Sequence, residues 1–174
     1  PHKFVDHTHA TPFLILANLP DYKKIVNEIF GSKLAVVPYI MPGFDLALAA
    51  ADAYEQAVSQ LFASLDRLEL RLSSNRYLLG NTLTEADWRL FTTLVRFDVV
   101  YVGHFKCNKK RIADYVHLYG YLKELYQLDG IAETTDFEHI KRHYYFSHKN
   151  INPTQVIPQG PYLELYSAHG RDFL

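Results

Sequence analysis

The stretch Tyr77-Leu78-Leu79-Gly80-Asn81-Thr82-Leu83-Thr84-Glu85-Ala86-Asp87-Trp88-Arg89-Leu90 constrains this chain more than any other. Gly80-Asn81 reads as the break of a preceding helix. Thr84 stands where its hydroxyl can accept from a free backbone N–H at the start of the next helix, and Asp87 can reach back from the first turn. Beyond this start, Leu90, Leu94, Phe97 and Tyr101 recur at helical spacing, while Phe91 and Val95 add a second apolar row. A helix that is apolar over most of its circumference has to be surrounded by others. The segment Thr84 to Tyr101 is therefore predicted to be the central helix of an all-α bundle, with Thr84 and Asp87 as its structural cap.

Other helices follow from the same periodicity. Tyr22, Ile25, Val26 and Ile29 share one face of a first helix that Gly31 closes. Pro38 and Pro42-Gly43 then break the chain and place Tyr39 in a loop. From Asp45 to Ser73, Tyr54, Val58, Leu61, Leu65, Leu68 and Leu72 alternate spacings of four and three, which predicts the longest helix. Tyr115, Leu118, Leu122 and Leu125 mark a fourth helix, and Phe137, Ile140 and Tyr144 a shorter fifth between Asp136 and Tyr145. The run Phe13 to Ala17 reads as a short strand or turn, and no useful strand alternation follows residue 20. Pro153, Pro158, Gly160 and Pro161 predict an extended, irregular coil over the surface. The organisation expected is an irregular leader over 1–18, a helical domain over 19–150 and a tail over 151–174.

A resemblance appears in the organising stretch. Tyr-Leu-x-Gly followed by Leu-Thr-x-Ala-Asp resembles the helical C-terminal domain of glutathione transferases. Arg89-Leu90-Phe91-Thr92-Thr93-Leu94-Val95-Arg96-Phe97-Asp98, then Tyr101-Val102-x-His104-Phe105-Lys106-Cys107, Ile140-x-x-His143-Tyr144 and Ser147-His148-Lys149-x-Ile151-Asn152-Pro153-Thr154 are similar to the glutathionyl-hydroquinone reductases. These are also called xi-class or omega-like glutathione transferases. The similarity is close from about Ala53 to Pro161.

The resemblance implies a glutathione transferase C-terminal-like helical bundle that builds the pocket for an aromatic or quinone-type co-substrate. In such enzymes a thioredoxin-like domain binds glutathione and carries the catalytic cysteine; this chain shows no Cys-Pro turn and matches the helical half, so no catalytic residue is expected within it. The implied reaction removes glutathione from an aromatic glutathionyl-hydroquinone: a thiolate attacks the thioether sulfur, and a second glutathione resolves the mixed disulfide. Glutathione is thus the implied co-substrate. The family's pocket tyrosines fall on Tyr101, Tyr144 and Tyr39, although the family reads Tyr-Lys-x-Gly-Phe where this chain has Tyr39-Ile40-Met41-Pro42-Gly43-Phe44. Phenols suit the role, since they hydrogen-bond a hydroquinone oxygen and donate a proton to a developing carbanion. Core packing is the other reading open for each of them. The resemblance also implies a homodimer through the helical domain. A non-catalytic helical module for dimerisation or protein association is the alternative function.

The residues themselves narrow the chemistry further. With 18 Lys+Arg against 19 Asp+Glu, the net charge of -1 offers no electrostatic reason for nucleic acid or an anionic membrane as partner. No apolar run reaches the ~20 residues of a membrane span, and Pro1-His2-Lys3 does not open like a signal peptide, so a cytoplasmic location is expected. The basic group Lys106, Lys109, Lys110 and Arg111 lacks a paired recognition-helix pattern. A single cysteine excludes an internal disulfide and leaves Cys107 as the sole thiol, which neighbouring lysines would activate if they lay close. His139 and His143 have metal-ligand spacing on a helix, with His148 beyond, but flanking Glu138 and Lys141-Arg142 make a solvated charged face equally natural; His2, His7 and His9 lie in the leader without a Cys or acidic cluster nearby and read as a solvated arm, and no metal is expected.

Overall fold

The computed structural model describes residues 19–31, 36–37 and 43–174. The chain divides between Leu61 and Phe62 into two compact units. The described elements are all helical: α1 (Tyr22–Phe30), α2 (Phe44–Leu72), α3 (Glu85–Arg96), a π-helical turn (Phe97–Tyr101), a 3-10 turn (Ile112–Asp114), α4 (Val116–Tyr126), a second 3-10 turn (Ala132–Thr134) and α5 (Phe137–Ser147). Among the described residues the single β-type pairing is an isolated bridge from Tyr77 to Gly80. The short run from Phe13 to Ala17 lies outside the described residues.

In α1, Val26 is buried while Ile29 stays exposed. Gly31 follows with φ 56°, a left-handed conformation that suits a residue without Cβ. Helix α2 buries Phe62, Leu65 and Leu72, whereas Tyr54, placed on the same stripe by its spacing, is exposed. Two acidic side chains of α2 reach α4 and its entry. Asp66 accepts from the Tyr115 hydroxyl at 2.9 Å, and Glu69 accepts the backbone N–H of His117 at 2.9 Å and of Leu118 at 2.7 Å. Glu69 thereby satisfies donors that the first turn of α4 leaves open.

Helix α3 and the turn after it carry a large part of the core. Asp87, Phe91, Leu94 and Val95 are buried on α3, as are Phe97, Asp98, Val99 and Val100 on the π turn. The expected central helix is present, but it does not continue as an α-helix to Tyr101. It widens at Phe97, where Val102 donates its N–H to the Phe97 carbonyl at 3.0 Å, the longer closure of a π-helix. The widened turn lets consecutive side chains Phe97 to Val100 all face protein. Gly80 does not end a helix either, because α2 has already stopped at Leu72; with φ 106° it closes a tight turn in which Tyr77 donates to its carbonyl at 2.7 Å.

Residues 148–174 contain no helix or strand, as their prolines require. They do not simply lie over the surface, however. Leu165 and Arg171 are 2% exposed. The Arg171 guanidinium donates to the backbone carbonyls of Leu72 at 3.0 Å, Asn75 at 3.1 Å and Arg76 at 2.6 Å, so the tail caps the C-terminal end of α2.

Candidate functional site

The cap at the start of α3 is a buried carboxylate held from four sides. Asp87 accepts the N–H of Leu78, the N–H of Thr84, the Thr84 hydroxyl and the Tyr121 hydroxyl, each at 2.8 Å. Burial pushes its pKa up, but these hydrogen bonds outweigh burial and leave it below the ordinary carboxylate range. All its lone-pair directions point at the scaffold, so Asp87 ties the Tyr77–Gly80 turn and α4 to α3.

One turn past α3, the π turn delivers Tyr101 to an aromatic cluster. Its ring meets Phe97 edge-on at 5.8 Å, Phe105 at 5.5 Å and Tyr144 of α5 edge-on at 6.0 Å between centroids. Tyr101 and Tyr144 are both half-buried. Burial, then the hydrogen-bonding Tyr144 phenol, push the Tyr101 pKa up to about 12, while the Arg96 guanidinium pulls it down in part. Tyr101 therefore keeps its proton throughout the neutral range. Tyr39 lies outside the described residues.

Behind these phenols is a pair of histidines whose partnership the sequence does not announce. His104 Nε2 and His148 Nδ1 are 3.2 Å apart, and His104 is 2% exposed. Burial, then His148 and Lys106, depress the His104 pKa, and its Nδ1 has no hydrogen-bond partner among the described residues. Tyr145 packs on the same ring at 4.9 Å, and its hydroxyl approaches Gly103 so closely that a Cβ there would sit 2.7 Å away. His148 thus faces His104, while His139 and His143 are exposed on α5. Among the described residues no group of three or more His, Cys, Asp or Glu side chains could hold a metal ion.

Cys107 joins this region through its backbone, donating its N–H to the Tyr101 carbonyl at 3.0 Å. Its thiol is not activated: burial pushes its pKa up. Three of the neighbouring cations are engaged elsewhere. Lys106 Nζ donates to the Gly103 carbonyl at 3.0 Å, Lys110 Nζ lies 3.6 Å from the Tyr115 ring centroid, and Arg111 pairs with Asp114 at 2.6 Å.

Two cavities share a wall beside the phenols. One of about 230 Å³ is lined by Arg96, His139, Ile140, His143 and Tyr144. Its neighbour of about 220 Å³ also uses Arg96, His139 and Ile140. A larger cavity, about 640 Å³, opens on the other side of α5 between Glu138, Lys141 and tail residues that include Ile157, Gln159, Tyr162 and Leu163. Its polar side chains are occupied, since Lys141 donates to the Gln159 carbonyl at 2.7 Å and Arg142 pairs with Glu138 at 3.2 Å.

Sequence reasoning missed His104, His148 and Arg96 as members of this site, and Asp98 as its support. The buried Asp98 carboxylate accepts the N–H of Ile112 at 2.6 Å and of Ala113 at 3.0 Å; burial, only partly offset by these bonds, leaves its pKa raised. These residues all stand inside the quoted motifs, but their pairing depends on the π turn.

An all-helical fold opened by a buried capping box agrees with a direct match of residues 51–124 to the family described as glutathione S-transferase, C-terminal domain. The chain contains a helical C-terminal domain of the glutathione transferase family. Within that family it is similar to the glutathionyl-hydroquinone reductase YqjG of Escherichia coli, with 60% identity over 121 residues, 70% of this chain and 37% of that protein. The glutathione-bound structure of YqjG superposes with a TM-score of 0.69 at 48% identity, covering 88% of this chain and 50% of that one. The xi-class glutathione transferase of Natrialba magadii superposes with a TM-score of 0.70 at 37% identity, covering 99% of this chain and 50% of its own. The chain therefore spans half or less of the length of these relatives.

Proposed function

We propose that this chain is the co-substrate-binding helical domain of a glutathione-dependent glutathionyl-hydroquinone reductase. The observation that carries the reading is the edge-on meeting of the Tyr101 and Tyr144 rings, brought from the π turn and α5 to 6.0 Å between centroids. A hydroquinone ring set against these phenols would take a hydrogen bond on its oxygen. In the reaction, a cysteine thiolate on a thioredoxin-like domain attacks the thioether sulfur, the C–S bond breaks, and the departing aromatic carbanion takes a proton. Tyr101, which keeps its proton at neutral pH, is the donor. The mixed disulfide between that cysteine and glutathione is then resolved by a second glutathione. Cys107, with its raised pKa, takes no part.

Support for an aromatic ligand comes from the ring cluster of Tyr101, Phe105 and Tyr144. Support for glutathione as co-substrate comes from the similarity to the glutathione-bound relative. We further propose a cytoplasmic homodimer that associates through the helical domain, without nucleic-acid or membrane partners. No described helix is long and apolar enough to cross a membrane. Leu79, Val116, Tyr162 and Phe173 are exposed apolar side chains available for association.

Binding of hydroquinone to the chain, followed by NMR of ring-labelled tyrosine, tests the site. Shifts at Tyr101 and Tyr144, and weakened binding in Tyr101→Phe with Tyr144→Phe, are expected. Shifts confined to residues around Tyr162 and Leu163 would move the site to the larger cavity.

A further inference from the structure

The cavity beside the two phenols carries a chemical character that hydroquinone alone does not use. Its walls are Arg96, His139, Ile140, His143 and Tyr144, and no carboxylate lines it. Arg96 also lines the adjoining cavity, together with Thr92, Thr134, Thr135 and Asp136. The one carboxylate there, Asp136, is engaged as the cap of α5, accepting the His139 N–H at 2.9 Å. The Arg96 guanidinium uses Nη1 on the Thr92 carbonyl at 2.5 Å, and its other N–H groups meet no acceptor among the described residues. An arginine offers five donors in a planar fork that suits a carboxylate, so most of this fork is open to a ligand. Each histidine ring adds a donor in either tautomer. The guanidinium is also near enough to Tyr101 to act on its phenol electrostatically.

We propose that Arg96, aided by the ring N–H groups of His139 and His143, binds the carboxylate of an aromatic co-substrate whose hydroquinone ring lies against Tyr101 and Tyr144. This rests on the site reading given above and deepens it: the favoured co-substrates are hydroquinones with an acidic substituent. Arg96 is then a specificity residue, one step along the wall from the phenols that meet the ring. A carboxylate could also come from glutathione itself, and the test separates the two sources.

Titration calorimetry of the whole chain at neutral pH compares 2,5-dihydroxybenzoate, unsubstituted hydroquinone and glutathione as probes. The acid is expected to bind about tenfold tighter than hydroquinone, the scale of one charge-assisted hydrogen-bonded contact. Arg96→Gln should collapse that ratio toward one, and Arg96→Lys should keep part of it. Because the readout is a ratio within one variant, a general loss of folded protein does not imitate it. Equal binding of both aromatics to the wild-type chain would overturn the anion site and leave the tyrosine site standing. Displacement of 2,5-dihydroxybenzoate by glutathione would also overturn the assignment, by placing the peptide carboxylate there. Binding of neither aromatic would overturn the tyrosine site and this inference together.

Discussion

Arg171 Nε donates to Glu124 Oε2 at 2.9 Å, and the two side chains are 2% and 4% exposed. Glu124 is shared with Arg76, whose Nε lies 2.7 Å from the other carboxylate oxygen. The same Arg171 guanidinium closes the carbonyls at the end of α2, so one side chain from the tail joins α2, α4 and the C-terminus. Arg171→Met removes the inner partner of a buried carboxylate and should destabilise the chain by about 3–5 kcal/mol. Adding Glu124→Leu should recover part of that loss, since it removes the charge left behind. Chemical denaturation of the two single variants and the double variant checks this; additive losses would show that the pair is not coupled.

Gly120 gives an independent handle on the tail. A Cβ at this position of α4 would stand 2.7 Å from the His169 carbonyl and 3.1 Å from Arg171 Cδ. The obstacle is backbone, so the side chain cannot be accommodated by a rotamer change. Gly120→Ala, usually a favourable exchange within a helix, should instead lower the melting temperature, and a protease should cut the tail sooner. A raised melting temperature would mean that the tail moves aside without cost.

Asp87 contributes to the acid response of the fold. Its folded-state pKa is depressed, so it contributes stability above the ordinary carboxylate value, and that contribution is lost as pH falls through the folded value. Asp87→Asn keeps the shape but cannot accept all four hydrogen bonds, and should cost about 3 kcal/mol at pH 7. Below pH 4 the gap between variant and wild type should narrow. Melting curves across pH measure it, and a gap that stays constant would remove the carboxylate from the acid response.

Tyr101 sets a corresponding alkaline signature. Its pKa is raised to about 12 in the folded chain, so its stabilising contribution is complete below the unfolded value near 10 and is lost as pH rises through about 12. Absorbance titration of phenolate should lose a component near pH 12 in Tyr101→Phe. In the proposed reductase reaction, where Tyr101 is proposed as the proton donor, Tyr101→Phe should lower turnover of the full-length enzyme by about 10²-fold or more. Unchanged turnover in Tyr101→Phe would assign its ring to packing alone.

The sequence made local signals legible and left long-range pairings hidden, for physical reasons. Thr84 and Asp87 form a cap within one turn, so residue type and spacing are enough to find it. Tyr121 completes the cap from α4, and nothing in its neighbourhood says so. The apolar rows of α2 and α3 gave both helices, but the π turn at Phe97 depends on satisfying Asp98 against Ile112 and Ala113 across a loop. Arg171 was invisible because its acceptors are mainly backbone carbonyls, which carry no residue identity. Tyr101 and Tyr144 were placed by family resemblance rather than by periodicity, whereas Arg96 and the His104–His148 pair emerged only once α5 had packed on the π turn.

Cys107 decides whether the chemistry lies in this chain. Burial raises its pKa, and the adjacent Lys106 is turned toward the Gly103 and His104 carbonyls, so little thiolate is available near neutrality. Its Sγ lies 3.8 Å from the Phe105 carbonyl, a weak contact to a group that is not a base. Iodoacetamide should alkylate it more slowly at pH 7.5 than it alkylates free cysteine. The isolated chain should show no turnover of a glutathionyl-hydroquinone in the presence of glutathione, and the Cys107→Ser variant should behave the same way. In a full-length protein carrying a thioredoxin-like domain, Cys107→Ser should retain turnover. Robust turnover by the isolated chain that disappears in Cys107→Ser would make Cys107 the nucleophile and move the catalytic thiol into the helical domain.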